Sequence, residues 1–168
     1  LKNPKLKNEA FKELLDIYQE RLYWHIRKIV VTHDNANDVL QNTFINVFKG
    51  IPNFKANSTL HTWMYRIAYN ESIRYLKKNK FKLLQSISNE TDYLKNLTED
   101  IYFNGEDVQL KLHNIISKLS EKQKRVFQMK YFDDLSFREI SEILNISENT
   151  LKSSYYSAVK TIEEKIII

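Results

Sequence analysis

Apolar residues recur at three- and four-residue steps along most of the chain, which is the period of helices rather than strands. Phe11, Leu14, Leu15, Tyr18, Leu22, Ile26 and Ile29 form one such stripe and predict a first amphipathic helix. A second helix, with Asp34 or Asn35 as its expected cap, carries Ala36, Val39, Leu40, Thr43, Phe44, Val47 and Phe48 on its apolar side. Gly50 is expected to stop it in a left-handed conformation, and Pro52 to prevent its resumption. After the loop 53–57, Ser58 or Thr59 is positioned to cap a third helix. Its expected inner face is Leu60, Trp63, Ile67 and Ala68.

Cap signals return in the second half. Ser120-Glu121-Lys122-Gln123 and Ser136-Phe137-Arg138-Glu139 both fit a capping box, in which a hydroxyl and an amide or carboxylate satisfy free N–H groups reciprocally. Residues 136–160 have the spacing of a helix-turn-helix. A short helix with Ile140 and Leu144 inward ends at Asn145, a residue type that tolerates positive φ. Ile146 plugs the corner, Ser141 is small where the helices cross, and Ser147 starts a last helix with Leu151, Tyr155, Ala158 and Ile162 inward. The expected fold is all-α. Two small helical domains, 1–82 and 108–168, are joined by an acidic flexible linker, 83–107, and the second domain contains the helix-turn-helix.

Charge supports that division. The whole chain carries +5, but residues 1–82 hold 15 basic and 7 acidic side chains, whereas residues 83–107 hold 1 and 6. The last stretch is nearly balanced, with 10 basic and 8 acidic. Composition then removes whole classes of function. With no Cys and only 2 Gly, there is no thiol chemistry and no Gly-rich phosphate cradle. The 4 His show no metal-ligand spacing, so no metal, no cofactor and no catalytic residue is expected, and the chain does not read as an enzyme. No apolar run approaches the roughly 18 residues of a membrane span, and the start has no apolar leader. Direct membrane insertion is therefore not expected, and a cytoplasmic location is.

Two polar faces carry candidate binding chemistry. On the last helix, Asn149, Lys152, Ser153, Tyr156 and Lys160 point outward together and suit base edges and phosphates. On the third, Arg66, Asn70, Arg74 and Lys77 or Lys78 step along one stripe, preceded by a loop with Phe54, Lys55, Asn57 and Ser58. Cations beside aromatic and amide groups suit a strand whose bases are unstacked, and Tyr65, Tyr69 and Tyr75 add rings nearby. Taken singly, each feature also fits a solvated helix face or a hairpin that only packs.

Together they resemble a known family. Ala36-Asn37-Asp38-Val39-Leu40-Gln41-Asn42-Thr43-Phe44 and Thr62-Trp63-Met64-Tyr65-Arg66-Ile67-Ala68-Tyr69-Asn70 are similar to region 2 of bacterial sigma factors. Leu119 to Lys160 is similar to region 4. The ordered pair with no region 3 between resembles the extracytoplasmic-function group. The resemblance implies a transcription initiation factor that docks on core RNA polymerase, its β′ and β subunits, and directs it to promoter DNA. It implies β′ docking by the helix bearing Asp38, Gln41 and Asn42. It also implies contact with the −10 element by the stripe and its preceding loop, and −35 reading by the last helix. An anti-sigma partner is implied as well. The last helix departs from the family's Arg- and His-rich pattern with Ser154, Tyr155, Tyr156, Ser157 and Val159, so weak duplex binding by the free protein is expected. A stand-alone helix-turn-helix regulator and an interaction adaptor on a sigma scaffold are the alternative readings.

Overall fold

Thr32 is the residue that starts the second helix, and its Oγ1 accepts from the Asn35 N–H at 3.3 Å. The expected caps, Asp34 and Asn35, lie inside the first turn instead. The computed structural model describes residues 4–80 and 107–166, and every regular element among them is helical. They fall into two compact units that part at Lys80. The expected linker lies outside the described residues except for Asp107, which opens a helix.

The first unit consists of α1 (Pro4–Val30), α2 (His33–Gly50), a 3-10 turn (Ile51–Asn53) and α3 (Leu60–Lys78), with each helix packed on the other two. Its core is Leu22, Tyr23, Ile26, Val30, Ala36, Val39, Phe44, Val47, Met64, Tyr65 and Ala68. Buried hydroxyls are satisfied within their own helices: Thr43 Oγ1 donates to Val39 O and Ser72 Oγ to Ala68 O, each at 2.8 Å. α1 turns into α2 through Val31 at φ 72°, a left-handed conformation that a β-branched residue adopts only at a cost.

Two expectations about this unit are corrected. Gly50 is right-handed, at φ −85° and ψ −24°, and the chain runs from α2 straight into the 3-10 turn that contains Pro52. The glycine is required for a different reason: a Cβ there would sit 2.8 Å from Cζ2 of Trp63. α3 also buries a different face from the one its largest apolar residues suggested. Thr62, Met64, Tyr65, Ala68, Glu71 and Ser72 face in, while Leu60, Trp63 and Ile67 are only half-buried. That inward face mixes the large Met64 and Tyr65 with small and polar residues, and its Glu71 is bonded to Asn46 of α2.

The second unit consists of α4 (Asp107–Ser117), α5 (Glu121–Tyr131), α6 (Phe137–Leu144) and α7 (Glu148–Ile166). Ile115, Ile116, Leu119, Phe127, Ala158 and Ile162 form one cluster of its core. Both capping boxes are present, at Ser120/Gln123 and Ser136/Glu139. Asn145 ends α6 at φ 55°, its N–H bonded to Ser141 O at 2.9 Å, which is the left-handed corner that the helix-turn-helix spacing requires. On α6, Ile140 and Ile143 go inward, and Leu144, expected there, is half-buried.

The Gly50–Trp63 approach gives a test with opposed outcomes. Helix propensity alone predicts that Gly50→Ala stabilises the chain by about 1 kcal/mol. The contact predicts a net loss of about 1–3 kcal/mol, as for other overpacked sites, read from the urea unfolding midpoint. A stabilised variant would mean that the indole yields freely.

Candidate nucleic-acid interface

α3 presents its polar face because Glu71, at the edge of that face, is turned toward α2. That carboxylate is buried against α2, accepting from Asn46 Nδ2 and pairing with Arg74 Nη1, each at 2.9 Å. Arg74 nevertheless keeps 72% of its side chain exposed, so its guanidinium is tethered at one edge and open at the other. Asn70, Lys77 and Lys78 are exposed or half-exposed beside it. Arg66, one turn earlier, is half-buried, so the stripe is most accessible from Asn70 onward.

The loop before α3 is divided in the same way. Lys55 and Asn57 are exposed and Ser58 is half-buried. Phe54 packs on Trp63, with ring centroids 5.0 Å apart, so one face of its ring is already occupied. Ala56 adopts φ 54°, bending the loop between Lys55 and Asn57. Of the three tyrosines named with this face, Tyr65 belongs to the core, packed against His25 and His61. Tyr69 is half-buried. Tyr75 donates its hydroxyl to Asn35 Oδ1 at 2.6 Å, tying the end of α3 to the start of α2.

On α2, Asp38, Gln41 and Asn42 are all exposed on one side. Beside them runs a groove of about 550 Å³ between α1 and α2, lined by Phe11, Leu15, Leu40, Gln41, Phe44, Ile45 and Phe48. The apolar pattern alone does not reveal this groove. Its only local signal is Ile45, an isoleucine on the polar side of α2 that remains 45% exposed. In the second unit, Asn149, Lys152, Ser153, Tyr156 and Lys160 are exposed along α7, with Tyr156 at 63%. Ser157, among the residues that replace the usual cations, accepts from Gln123 Nε2 at 2.9 Å and so links α7 to α5. Among the described residues, no group of three or more His, Asp or Glu side chains is placed to hold a metal ion. No described helix is long and apolar enough to cross a membrane.

Residues 14–82 match the family model of Sigma-70 region 2, and residues 109–162 match that of Sigma-70, region 4. The ECF RNA polymerase sigma factor SigW of Bacillus subtilis is 30% identical over 94% of this chain and 89% of its own length. The ECF RNA polymerase sigma-E factor of Haemophilus influenzae is 27% identical over 94% and 88%. In fold, the chain is similar to the sigma factor RpoE of Bartonella quintana, solved with the anti-sigma factor NepR. The TM-score is 0.77 at 19% identity, covering 95% of this chain and 98% of that one. CnrH, solved with the cytosolic domain of CnrY, gives 0.67 at 16% identity over 94% and 87%.

Tyr75 provides a test of how the two faces of the first unit are tied together. Burial first, and the Asp38 carboxylate second, hold its phenol above the ordinary value of 10.0. A raised acid contributes stability that is fully present below the unfolded value and lost as pH rises through the folded one. Tyr75→Phe should therefore cost about 1 kcal/mol near neutral pH, the worth of its hydrogen bond. That deficit should shrink above pH 10, where tyrosinate no longer donates to Asn35. Denaturant titrations of both proteins across that range measure it.

Proposed function

The chain belongs to the ECF group of RNA polymerase sigma factors, and from that membership we propose how its two units divide the work of promoter recognition. It is a transcription initiation factor that directs core polymerase to promoters. The observation that carries the division is the order of two family regions on one chain, each with its own exposed polar face.

Asp38, Gln41 and Asn42 dock on the β′ subunit. The adjoining apolar groove supports this, because a docking face needs apolar area as well as polar groups that set register. The α3 stripe of Asn70, Arg74, Lys77 and Lys78, with Arg66 at its half-buried end, follows the backbone of the −10 element. The loop with Phe54, Lys55, Asn57 and Ser58 holds a base outside the stack. Unstacking costs a few kcal/mol, and hydrogen bonds from Asn57 and Ser58 with stacking on an aromatic ring offset it. On α7, Asn149, Lys152, Ser153, Tyr156 and Lys160 read the −35 element in the major groove, as the second helix of such a motif does. The division is physically sensible: a groove-reading helix suits intact duplex, and a cationic face beside a pocket suits strands being parted.

The work is binding, with no reaction catalysed by the chain itself, and it takes place in the cytoplasm with polymerase and DNA. An anti-sigma partner is supported by the fold neighbours, one solved with the anti-sigma factor NepR and the other with the cytosolic domain of CnrY.

Reconstituted polymerase separates the two roles of the first unit. Replacing Asp38 with Lys and Gln41 with Ala should weaken core-enzyme binding by about 1–3 kcal/mol. Asn70→Ala and Asn57→Ala should leave core binding intact and reduce permanganate reactivity of thymines in the −10 element. Full promoter opening by the two Asn variants would exclude the pocket, and unchanged core affinity of the double variant would exclude the docking face.

A further inference from the structure

Phe137 opens α6, and two ammonium groups converge on its ring from the elements on either side. Lys130 Nζ of α5 lies 5.5 Å from the ring centroid and Lys152 Nζ of α7 lies 5.9 Å from it. Tyr155 and Tyr156 flank the same ring at 5.6 and 6.5 Å. Lys152 already belongs to the outward face of α7, but neither Lys130 nor Phe137 belongs to the binding faces of α2, α3 or α7. Both cations lie within the roughly 6 Å at which a ring quadrupole attracts a cation. The attraction holds each ammonium group beside the ring, where it is available to an anion.

We propose that Lys130, Phe137 and Lys152 form a phosphate clamp on the −35 duplex, with Phe137 as the positioning residue that presents both ammonium groups. This rests on the reading of α7 as the groove-entering helix. The clamp answers the shortage of cations on that helix, whose outward face offers only Lys152 and Lys160 over its central turns. It takes a third cation from the helix before the motif. Holding the flexible lysines against a ring before DNA arrives removes part of the ordering cost from the binding step. Glu139, the carboxylate nearest to Phe137 in sequence, is held in the capping box. Its Oε2 accepts from Ser136 N and Oγ at 2.8 Å.

Salt dependence of duplex binding by the full chain tests the clamp. The probe is a short duplex carrying the −35 element of a promoter selected with reconstituted polymerase, compared with a scrambled duplex. Each phosphate contact contributes about 0.9 to the log–log salt slope, and its loss weakens all sequences alike. Lys130→Gln and Lys152→Gln should each flatten the slope by about 0.9 on both duplexes. Phe137→Ala should flatten it at least as much as either, and Phe137→Tyr, which keeps the ring, should restore the wild-type slope. Lys130→Gln needs no refolding of the α6 entrance, so the test does not depend on Phe137→Ala remaining folded. A wild-type slope for Lys130→Gln beside a flattened one for Lys152→Gln would overturn the clamp and leave the groove-reading helix in place. If neither Lys152→Gln nor Tyr156→Ala changed binding to the selected duplex, the clamp and the reading beneath it would both fall.

Discussion

Glu71 is buried between α2 and α3 with two hydrogen-bonding partners, Asn46 and Arg74, at 2.9 Å each. A carboxylate taken from water with no partner would lose several kcal/mol. Arg74 lies on α3 itself, so the Asn46 donor on α2 is the one that fixes the rotation of α3. That rotation decides what the rest of the first unit can do. It turns Thr62, Met64, Tyr65, Ala68 and Ser72 toward the core and leaves Asn70, Arg74, Lys77 and Lys78 on the outer side. Because Asn46 lies one turn beyond Asn42 on α2, one hydrogen-bonded chain runs from beside the exposed Asp38–Asn42 face of α2 to the cation at the centre of the α3 stripe.

Much of this architecture is legible in the sequence. The apolar period of α2 places its inner face correctly from Ala36 to Val47, since in a helix packed on both neighbours the pattern is enforced residue by residue. The two capping boxes and the Asn145 corner are also readable, because each depends on local chemistry within four residues. Three things are hidden, for related reasons. Gly50 looks like a helix stop because glycine usually is one; its close approach to Trp63, thirteen residues later, is a tertiary contact. The buried face of α3 is hidden because size is a poor guide to burial there: Ala68 and Ser72 are buried beside Met64 and Tyr65, and a buried acid finds its partners across two helices. The α1–α2 groove is invisible because it lies between two stripes that each read separately as core.

The second unit solves a different problem. α7, the helix proposed to read the −35 element, has serines and tyrosines where cations would suit a phosphate backbone. Some of these side chains hold the unit together instead, since Ser157 is bonded to Gln123, and Tyr155 stacks on Phe127 with centroids 5.8 Å apart. These contacts anchor α7 on α5. Basic charge is concentrated in the first unit, which carries 14 basic and 7 acidic side chains over residues 1–80.

The division of labour requires that α2, α3 and α7 meet three different partners. Site-specific photocrosslinking in a reconstituted promoter complex, with the reactive group placed in turn at Gln41, Asn70 and Tyr156, tests it directly. Position 41 should crosslink to the β′ subunit and not to DNA, position 70 to the −10 strands, and position 156 to the −35 duplex. Crosslinking of position 70 to protein alone, or of position 41 to DNA, would contradict it.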